Sequence, residues 1–146
     1  MVFLAVQVAV MCLCVVGAYD MDLRCSNISG VWVNSLGSRL SLSVAGLRLS
    51  GSYKTGVESS PGSAGKDMTG KVVGVLGSGV HPTFAMSVSW RGGSVTTWAG
   101  QCFQGVSRPV LKTIWLLRSQ VPVEDNWMAT RIGEDTFHRQ KQNKLA

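Results

Sequence analysis

Hydrophobic and polar residues alternate in short runs along most of the chain, and turn-forming residues separate these runs. This period-two pattern, rich in β-branched and aromatic residues, is typical of β-strands. It predicts eight strands and no helix, with the fourth strand weak because Gly74 breaks it. The predicted strands are 30–35, 39–45, 47–55, 71–76, 83–90, 94–103, 110–119 and 129–140. Short strands with tight connections predict an all-β fold, either an antiparallel sandwich or an up-and-down barrel.

The side chains that share one face of each strand favour the barrel. Each such face combines apolar residues, indoles and hydrogen-bonding groups, as in Ser94, Thr96 and Trp98 on the sixth strand. A sandwich core gains little from inward polar groups, because each costs free energy when it is unpaired. An eight-stranded antiparallel barrel can instead hold one small ligand among them. The faces of the other strands that show this mixture are Trp32/Asn34/Leu36/Ser38, Tyr53/Thr55/Val57, Phe84/Met86/Val88/Trp90, Thr113/Trp115/Leu117 and Arg131/Gly133/Asp135/Phe137/Arg139.

The N-terminal segment predicts export. Residues 1–18 are apolar apart from Gln7, and they end in small residues before Tyr19. We interpret them as a secretory signal cleaved near Ala18, although the usual basic start is missing, and an uncleaved anchor is the alternative. The protein is then secreted and has no membrane contact after cleavage. Residues 19–146 would form one barrel domain in which 140–146 is a frayed tail.

Cysteine usage and charge narrow the class of protein. Loss of the signal leaves Cys25 and Cys102, and two cysteines in a secreted chain favour a disulfide over a metal site. Asn27 begins an N-glycosylation acceptor. The formal net charge of +6 comes mainly from scattered basic residues, whereas nucleic-acid binding would require a clustered patch. We therefore expect no nucleic-acid partner.

An enzyme is the first alternative, and its candidate residues do not converge. His81 lies in a predicted turn, and His138 points away from the face that carries Asp135. No catalytic triad or metal set can assemble from them, so the sequence predicts neither catalysis nor a metal.

Six linked motifs resemble the avidin–streptavidin family over residues 25–139. They are Gly30-Val31-Trp32-Val33-Asn34-Ser35-Leu36-Gly37-Ser38 after Cys25, Gly51-Ser52-Tyr53-Lys54-Thr55, Pro82-Thr83-Phe84 with Trp90, Thr96-Thr97-Trp98-Ala99-Gly100-Gln101-Cys102, Lys112-Thr113-Ile114-Trp115-Leu116-Leu117-Arg118-Ser119 and Trp127-Met128-Ala129-Thr130-Arg131-Ile132-Gly133. The resemblance implies a tetrameric barrel that binds biotin and biotin conjugates with high affinity and uses no catalytic cofactor.

The resemblance also implies a role for individual residues. Asn34, Ser38 and Tyr53 would donate to the ureido oxygen of biotin, while Asp135 and Thr55 would accept its N–H groups. Thr96 would meet the thioether sulfur, and Ser94, Ser59 and Ser60 would hold the valerate carboxylate. Trp127 would close the pocket from a neighbouring subunit, Trp32 and Arg139 would form a structural cation–π pair at the closed end, and Ile114, Ile132 and Glu134 would lie at a subunit interface. The remaining pocket wall is assigned to Trp90, Trp98, Trp115, Leu36, Val57 and Leu117.

Two departures and one rival follow from these assignments. Glu58 lies in the loop near the expected carboxylate, so we expect like-charge repulsion to weaken free biotin relative to an amide. Glu134 stands where avidin has an apolar residue, so we expect a dimer–dimer contact that loosens more readily. The rival is a lipocalin-like carrier, which shares a Gly-x-Trp start and a late Arg. A lipocalin cavity is mainly apolar, however, and does not need Asn34, Ser38, Tyr53 and Asp135 together.

Overall fold

The computed structural model describes residues 25–140, which form one closed antiparallel barrel. Each strand pairs with the next, and the last strand pairs with the first, as an up-and-down topology requires. The predicted fold class is therefore confirmed. The strands are β1 (Gly30–Val33), β2 (Arg39–Ala45), β3 (Arg48–Lys54), β4 (Thr69–Leu76), β5 (Thr83–Ser89), β6 (Val95–Gln104), β7 (Pro109–Arg118) and β8 (Thr130–Arg139).

The barrel is sealed at one end and open at the other, as the inward face of β8 shows. Arg131 is exposed, Gly133 and Asp135 are half-buried, and Phe137 and Arg139 are buried. Exposure thus falls steadily along one face of a single strand. The mouth of the barrel lies at the Arg131 end.

A cation–π pair fills the closed end. The Arg139 guanidinium lies 4.5 Å from the centre of the Trp32 ring, and the Trp32 side chain has no solvent exposure. Arg139 also donates to the backbone oxygens of Ser29 and Asn27, at 2.8 and 2.6 Å. These bonds engage both terminal nitrogens of the guanidinium and offset part of the cost of burying a cation. Strands β1 and β8 pair only at Trp32–Arg139 and Val33–His138, which is the shortest strand pairing in the barrel. The contacts of Arg139 therefore strengthen the barrel where its backbone pairing is weakest.

A disulfide ties the segment before β1 to the wall. Cys25 and Cys102 are bonded, their Cα atoms lie 5.6 Å apart, and 77 residues separate them in sequence. The predicted pairing is confirmed. A loop of this length gives a stabilisation of roughly 4–5 kcal/mol in the chain-entropy account of disulfides.

The structure corrects two details of the predicted elements. Strand β4 begins at Thr69 and is continuous to Leu76, so the prediction that Gly74 breaks it was wrong. Gly74 keeps its pairing with Leu49 and Met86, and a Cβ at Gly74 would lie 2.2 Å from the Ala85 carbonyl oxygen. Glycine is therefore present to allow close approach of β5.

The second correction concerns the connection between β7 and β8. It contains a 3-10 helix, Val123–Met128, where no helix was predicted. A 3-10 helix of six residues is too short to show an apolar periodicity, so the sequence pattern could not reveal it. Within residues 25–140, none of the helical structure is long and apolar enough to cross a membrane.

Two parts of the sequence-based prediction fall outside the described residues. The proposed signal, 1–18, precedes them, and 141–146 of the proposed tail follow them. Gln140, the first residue of that tail, donates its backbone N–H to the Val31 oxygen at 2.8 Å.

Candidate functional site

The open end of the barrel contains a cavity of about 280 Å³. Its lining comes from four strands, β3, β6, β7 and β8, and from the connecting segments at the mouth, so residues far apart in sequence converge there. Apolar walls with a few fixed polar groups are typical of small-molecule sites. The lining residues are Asn34, Leu36, Ser38, Tyr53, Thr55, Val57, Glu58, Ser59, Ser63, Ala64, Trp90, Ser94, Thr96, Trp98, Trp115, Leu117, Arg131 and Asp135.

The tight turn after β1 fixes the orientation of the Asn34 side chain. Its Oδ1 accepts the backbone N–H groups of Leu36 and Ser38, at 3.1 and 2.9 Å. The turn is closed by the Gly37 N–H, which donates to the Asn34 carbonyl at 3.1 Å, and Gly37 supplies the positive φ of +78°. Because the oxygen is engaged by the backbone, the amide NH₂ must face the cavity. Asn34 can therefore stabilise the turn through its side-chain oxygen and bind a ligand through its side-chain nitrogen.

Asp135 occupies the polar floor of the cavity. Its Oδ1 accepts from Asn34 Nδ2 at 2.9 Å, and its Oδ2 accepts from the Trp98 indole N–H at 3.3 Å. Burial raises the pKa of Asp135 above its usual value, while the hydrogen bonds from Trp98 and Asn34 act in the opposite direction. The carboxylate is half-buried and held by one donor from the turn after β1 and one from β6. It offers a fixed acceptor to a ligand N–H.

Tyr53 and Ser38 supply donors beside that acceptor. Tyr53 is 4% exposed, and its ring packs 4.9 Å from the centre of the Trp98 ring. Burial raises the pKa of Tyr53 to about 12; a hydrogen bond with Ser38 lowers it, and the nearby charge of Asp135 raises it further. The phenol is therefore neutral and able to donate at physiological pH. The Ser38 oxygen accepts the Gly56 backbone N–H at 3.0 Å, which leaves its own proton available as a donor.

Two threonines present oxygen lone pairs to the cavity. Thr55 donates its hydroxyl proton to the Val57 carbonyl oxygen at 2.6 Å, so an acceptor position remains on the cavity side. Thr96 accepts the Trp90 indole N–H at 2.8 Å, which anchors that indole in the wall.

Indoles on β6 and β7 form much of the apolar wall. Trp98 and Trp115 are direct cross-strand neighbours, and Gly133 is the β8 neighbour of Trp115. A Cβ on Gly133 would lie 2.4 Å from Trp115 Cζ2. The absence of a side chain at Gly133 therefore leaves the space that the Trp115 ring occupies.

The loop after β3 lies at the mouth of the cavity, and hydrogen bonds to Glu58 hold its backbone in place. Glu58 Oε1 accepts the Gly62 N–H at 2.9 Å, and Oε2 accepts the Ala64 N–H at 3.2 Å. A turn closed by the Ser63 N–H, which donates to the Ser60 carbonyl at 3.0 Å, brings Ser63 to the cavity. Ser59 lines the cavity as well, whereas Ser60, at the start of the turn, does not.

Most of the residues assigned from sequence meet at this cavity, and Ser60 and Trp127 do not line it. Trp127 lies on the 3-10 helix and is 82% exposed. Ser63, Ala64 and Arg131 line the cavity without having been assigned to it. Arg131 could have been found, because it shares a strand face with Asp135. The two loop residues had no such signal, since a loop has no fixed period. Among residues 25–140, no three His, Cys, Asp or Glu side chains are placed to hold a metal ion.

Comparison with known proteins agrees with this geometry. The model of the avidin family matches residues 22–140. The chain belongs to the avidin family. Chicken (Gallus gallus) avidin is 34% identical over 132 residues, which is 87% of each chain, and avidin-related protein 3 of Gallus gallus is 35% identical over 133 residues, 85% of each chain.

Two solved structures illustrate the similarity of fold. The crystal structure of xenavidin has a TM-score of 0.73 and 36% identity, and covers 80% of this chain and 100% of its own. A biotin-binding protein from chicken has a TM-score of 0.73 and 34% identity, with 81% of this chain and 99% of its own covered.

Proposed function

We propose that this protein binds biotin, without catalysis and with high affinity, in the cavity at the open end of its barrel. The observation that carries the proposal is the polar set Asn34, Ser38, Tyr53 and Asp135, which is oriented before any ligand arrives. Prearranged polar groups bind tightly because little ordering is left to be done on association. Membership of the avidin family supports the same ligand.

The donor and acceptor pattern matches a cyclic urea. Asn34, Ser38 and Tyr53 would donate to the ureido oxygen, and three donors on one oxygen favour the polarised form of the urea. Asp135 and Thr55 would each accept one ureido N–H. The thioether ring would lie against Thr96 and within the wall of Trp90, Trp98 and Trp115, and Leu36, Val57 and Leu117 would pack around the chain toward the mouth.

The carboxylate end of biotin would lie under the loop that crosses the mouth. Ser94 and Ser59 line the cavity there and would hold the valerate oxygens. Ser63 takes the position in the lining that was expected for Ser60, and we extend the same role to it.

Trp127 and the outer face of β7 and β8 support a homotetramer. Trp127 is 82% exposed and lies outside its own cavity, so its indole is available to close the site of a neighbouring subunit. Ile114 and Ile132 are 59% and 69% exposed on the outer face, which is costly unless a second copy covers them. Glu134 is the cross-strand neighbour of Ile114 and is also exposed. Because Glu134 would meet its own copy, the tetramer should separate into dimers more readily than avidin does.

The interface proposal is tested by sedimentation of the unaltered protein and of Glu134→Ile. The substitution removes the charge that would face its own copy, so it should shift the population from dimers toward tetramers. An unchanged distribution would contradict the proposal.

The proposal includes secretion after cleavage near Ala18 and a glycan on Asn27. The disulfide is the structural feature that supports an oxidising compartment. Asn27 is exposed, as a glycan acceptor must be.

Titration with biotin, followed by calorimetry and tryptophan fluorescence, tests the ligand. Asp135→Ala and Asp67→Ala are a matched pair, because Asp135 lines the cavity whereas Asp67 is exposed and does not line it. Loss of a hydrogen bond to a charged group costs about 1.5–3 kcal/mol, so Asp135→Ala should weaken biotin roughly 10- to 150-fold and Asp67→Ala far less. Equal effects of the two substitutions, or no binding by the unaltered protein, would overturn the proposal.

A further inference from the structure

The mouth of the cavity carries one acidic side chain, Glu58, and one basic side chain, Arg131, and the two differ in their hydrogen bonding. The Glu58 carboxylate is engaged on both oxygens by backbone N–H groups of its own loop. Arg131 lines the same cavity, and no hydrogen bond or ion pair engages it within residues 25–140. The guanidinium is therefore the charged group at the mouth that remains open to a ligand.

The position of Arg131 on β8 matches the far end of a biotin molecule. Asp135 and Arg131 lie on the same inward face, four positions apart. At a rise of about 3.3 Å per residue, they are roughly 13 Å apart along the strand. A ligand whose cyclic urea meets Asp135 would thus extend its acyl tail toward Arg131.

We propose that Arg131 is a specificity residue that makes this site prefer the free carboxylate of biotin over biotin in amide linkage. The inference rests on the proposed function and deepens it. It predicts the opposite preference to the one expected from Glu58 alone, and it is supported by the engagement of both Glu58 oxygens with amides of their own loop. An arginine fork is also well matched to a carboxylate, since it can donate two parallel hydrogen bonds.

The effect should be modest because Arg131 is solvent-exposed. Exposed charge pairs contribute about 0.2–1 kcal/mol, which corresponds to a preference of roughly 1.5- to 5-fold at low salt. Salt screens such pairs, so the preference should shrink as ionic strength rises. Neutral biotin amide has no charge to screen at this end, and its affinity should depend less on salt.

The experiment measures the affinity ratio of biotin to biotin amide by competition against one labelled conjugate, at 20 mM and 500 mM NaCl. Arg131→Gln should lower the ratio about threefold at low salt and remove its salt dependence, while Arg131→Lys should retain most of both. Arg48→Gln is the matched control, because it removes the same charge at the opposite end of β3 from the mouth.

The outcomes separate the two levels of the proposal. Failure of the unaltered protein to bind either ligand would overturn the proposed function itself. If biotin binds but Arg131→Gln weakens both ligands equally, Arg131 only packs at the mouth, and the specificity role is wrong. An unaltered protein that prefers the amide, or a ratio that Arg48→Gln changes as much as Arg131→Gln, would likewise overturn it.

Discussion

Tyr53 should ionise far more reluctantly than an ordinary tyrosine, and this can be measured without any ligand. Its ring is 4% exposed, and burial raises its pKa from 10.0 to about 12. At pH 11 an ordinary tyrosine is roughly 90% ionised, whereas Tyr53 should be only about 10% ionised. The phenol would therefore remain a donor throughout the alkaline range in which exposed tyrosines lose their proton.

The same shift predicts how stability changes with pH. The folded state keeps the Tyr53 proton to a higher pH than the unfolded state, so the contribution is fully present below pH 10 and is lost as pH rises toward 12. Each pKa unit corresponds to about 1.36 kcal/mol, so the total loss is roughly 2–3 kcal/mol, of which about 1.4 kcal/mol is lost by pH 11. The residue is so deeply buried that solvent screening does not reduce this figure appreciably.

Two measurements on the protein and on Tyr53→Phe check the reasoning. The difference between their absorbance titrations at 295 nm isolates Tyr53, because Tyr19 is common to both. Denaturant unfolding at pH 9 and pH 11 should show that the unaltered protein loses about 1.4 kcal/mol more than the variant. A difference titration centred near pH 10, or an equal loss of stability in both proteins, would refute the view that Tyr53 is a buried donor on the cavity floor.

Two further changes to the chain test the packing of the cavity wall at Trp115 and the contribution of the Cys25–Cys102 disulfide. Gly133→Ala places a Cβ 2.4 Å from the Trp115 indole, and overpacking of this kind lowers the free energy of unfolding by about 1–3 kcal/mol. Because the displaced indole lines the cavity, biotin should also bind more weakly in titrations. Gly79→Ala, whose added Cβ would have no contact closer than 4.0 Å, should leave biotin titrations unaltered, and equal effects would contradict the packing argument. Replacing both Cys25 and Cys102 with Ala should lower the free energy of unfolding by about 2–5 kcal/mol in denaturant titrations, and should abolish the sensitivity to reductant that we expect of the unaltered protein.

The strands were predictable because alternation is a direct consequence of the pleat. Each predicted strand lies within two residues of an observed one at either end, and the inward faces inferred from parity hold Asn34, Tyr53, Trp98 and Asp135 in one cavity. Gly74 was misread because glycine has two effects on a strand. It weakens the local preference for extended structure, yet it also permits close approach of a neighbour, and only the neighbour decides which effect matters.

The mouth was harder to predict, because loops lack a period that links sequence to direction. Glu58 was expected to repel a ligand carboxylate, which treats it as an isolated charge. In the structure its oxygens bind the N–H groups of Gly62 and Ala64, so the same residue braces the loop. That outcome depends on the turn that follows Glu58, and the sequence composition showed only that a loop was present.

Asp135 illustrates why an unfavourable residue can be the most informative one. A carboxylate on the inward face of a barrel loses hydration, and burial accordingly raises its pKa. Its neighbours compensate only partly: Asn34 and Trp98 each donate one hydrogen bond, while an ionised carboxylate can accept about four. A ligand that brings an N–H group to this floor would complete the coordination of the carboxylate. Under the proposed function, the residual cost in the free protein would become part of the driving force for binding a cyclic urea, which an apolar carrier cavity would not provide.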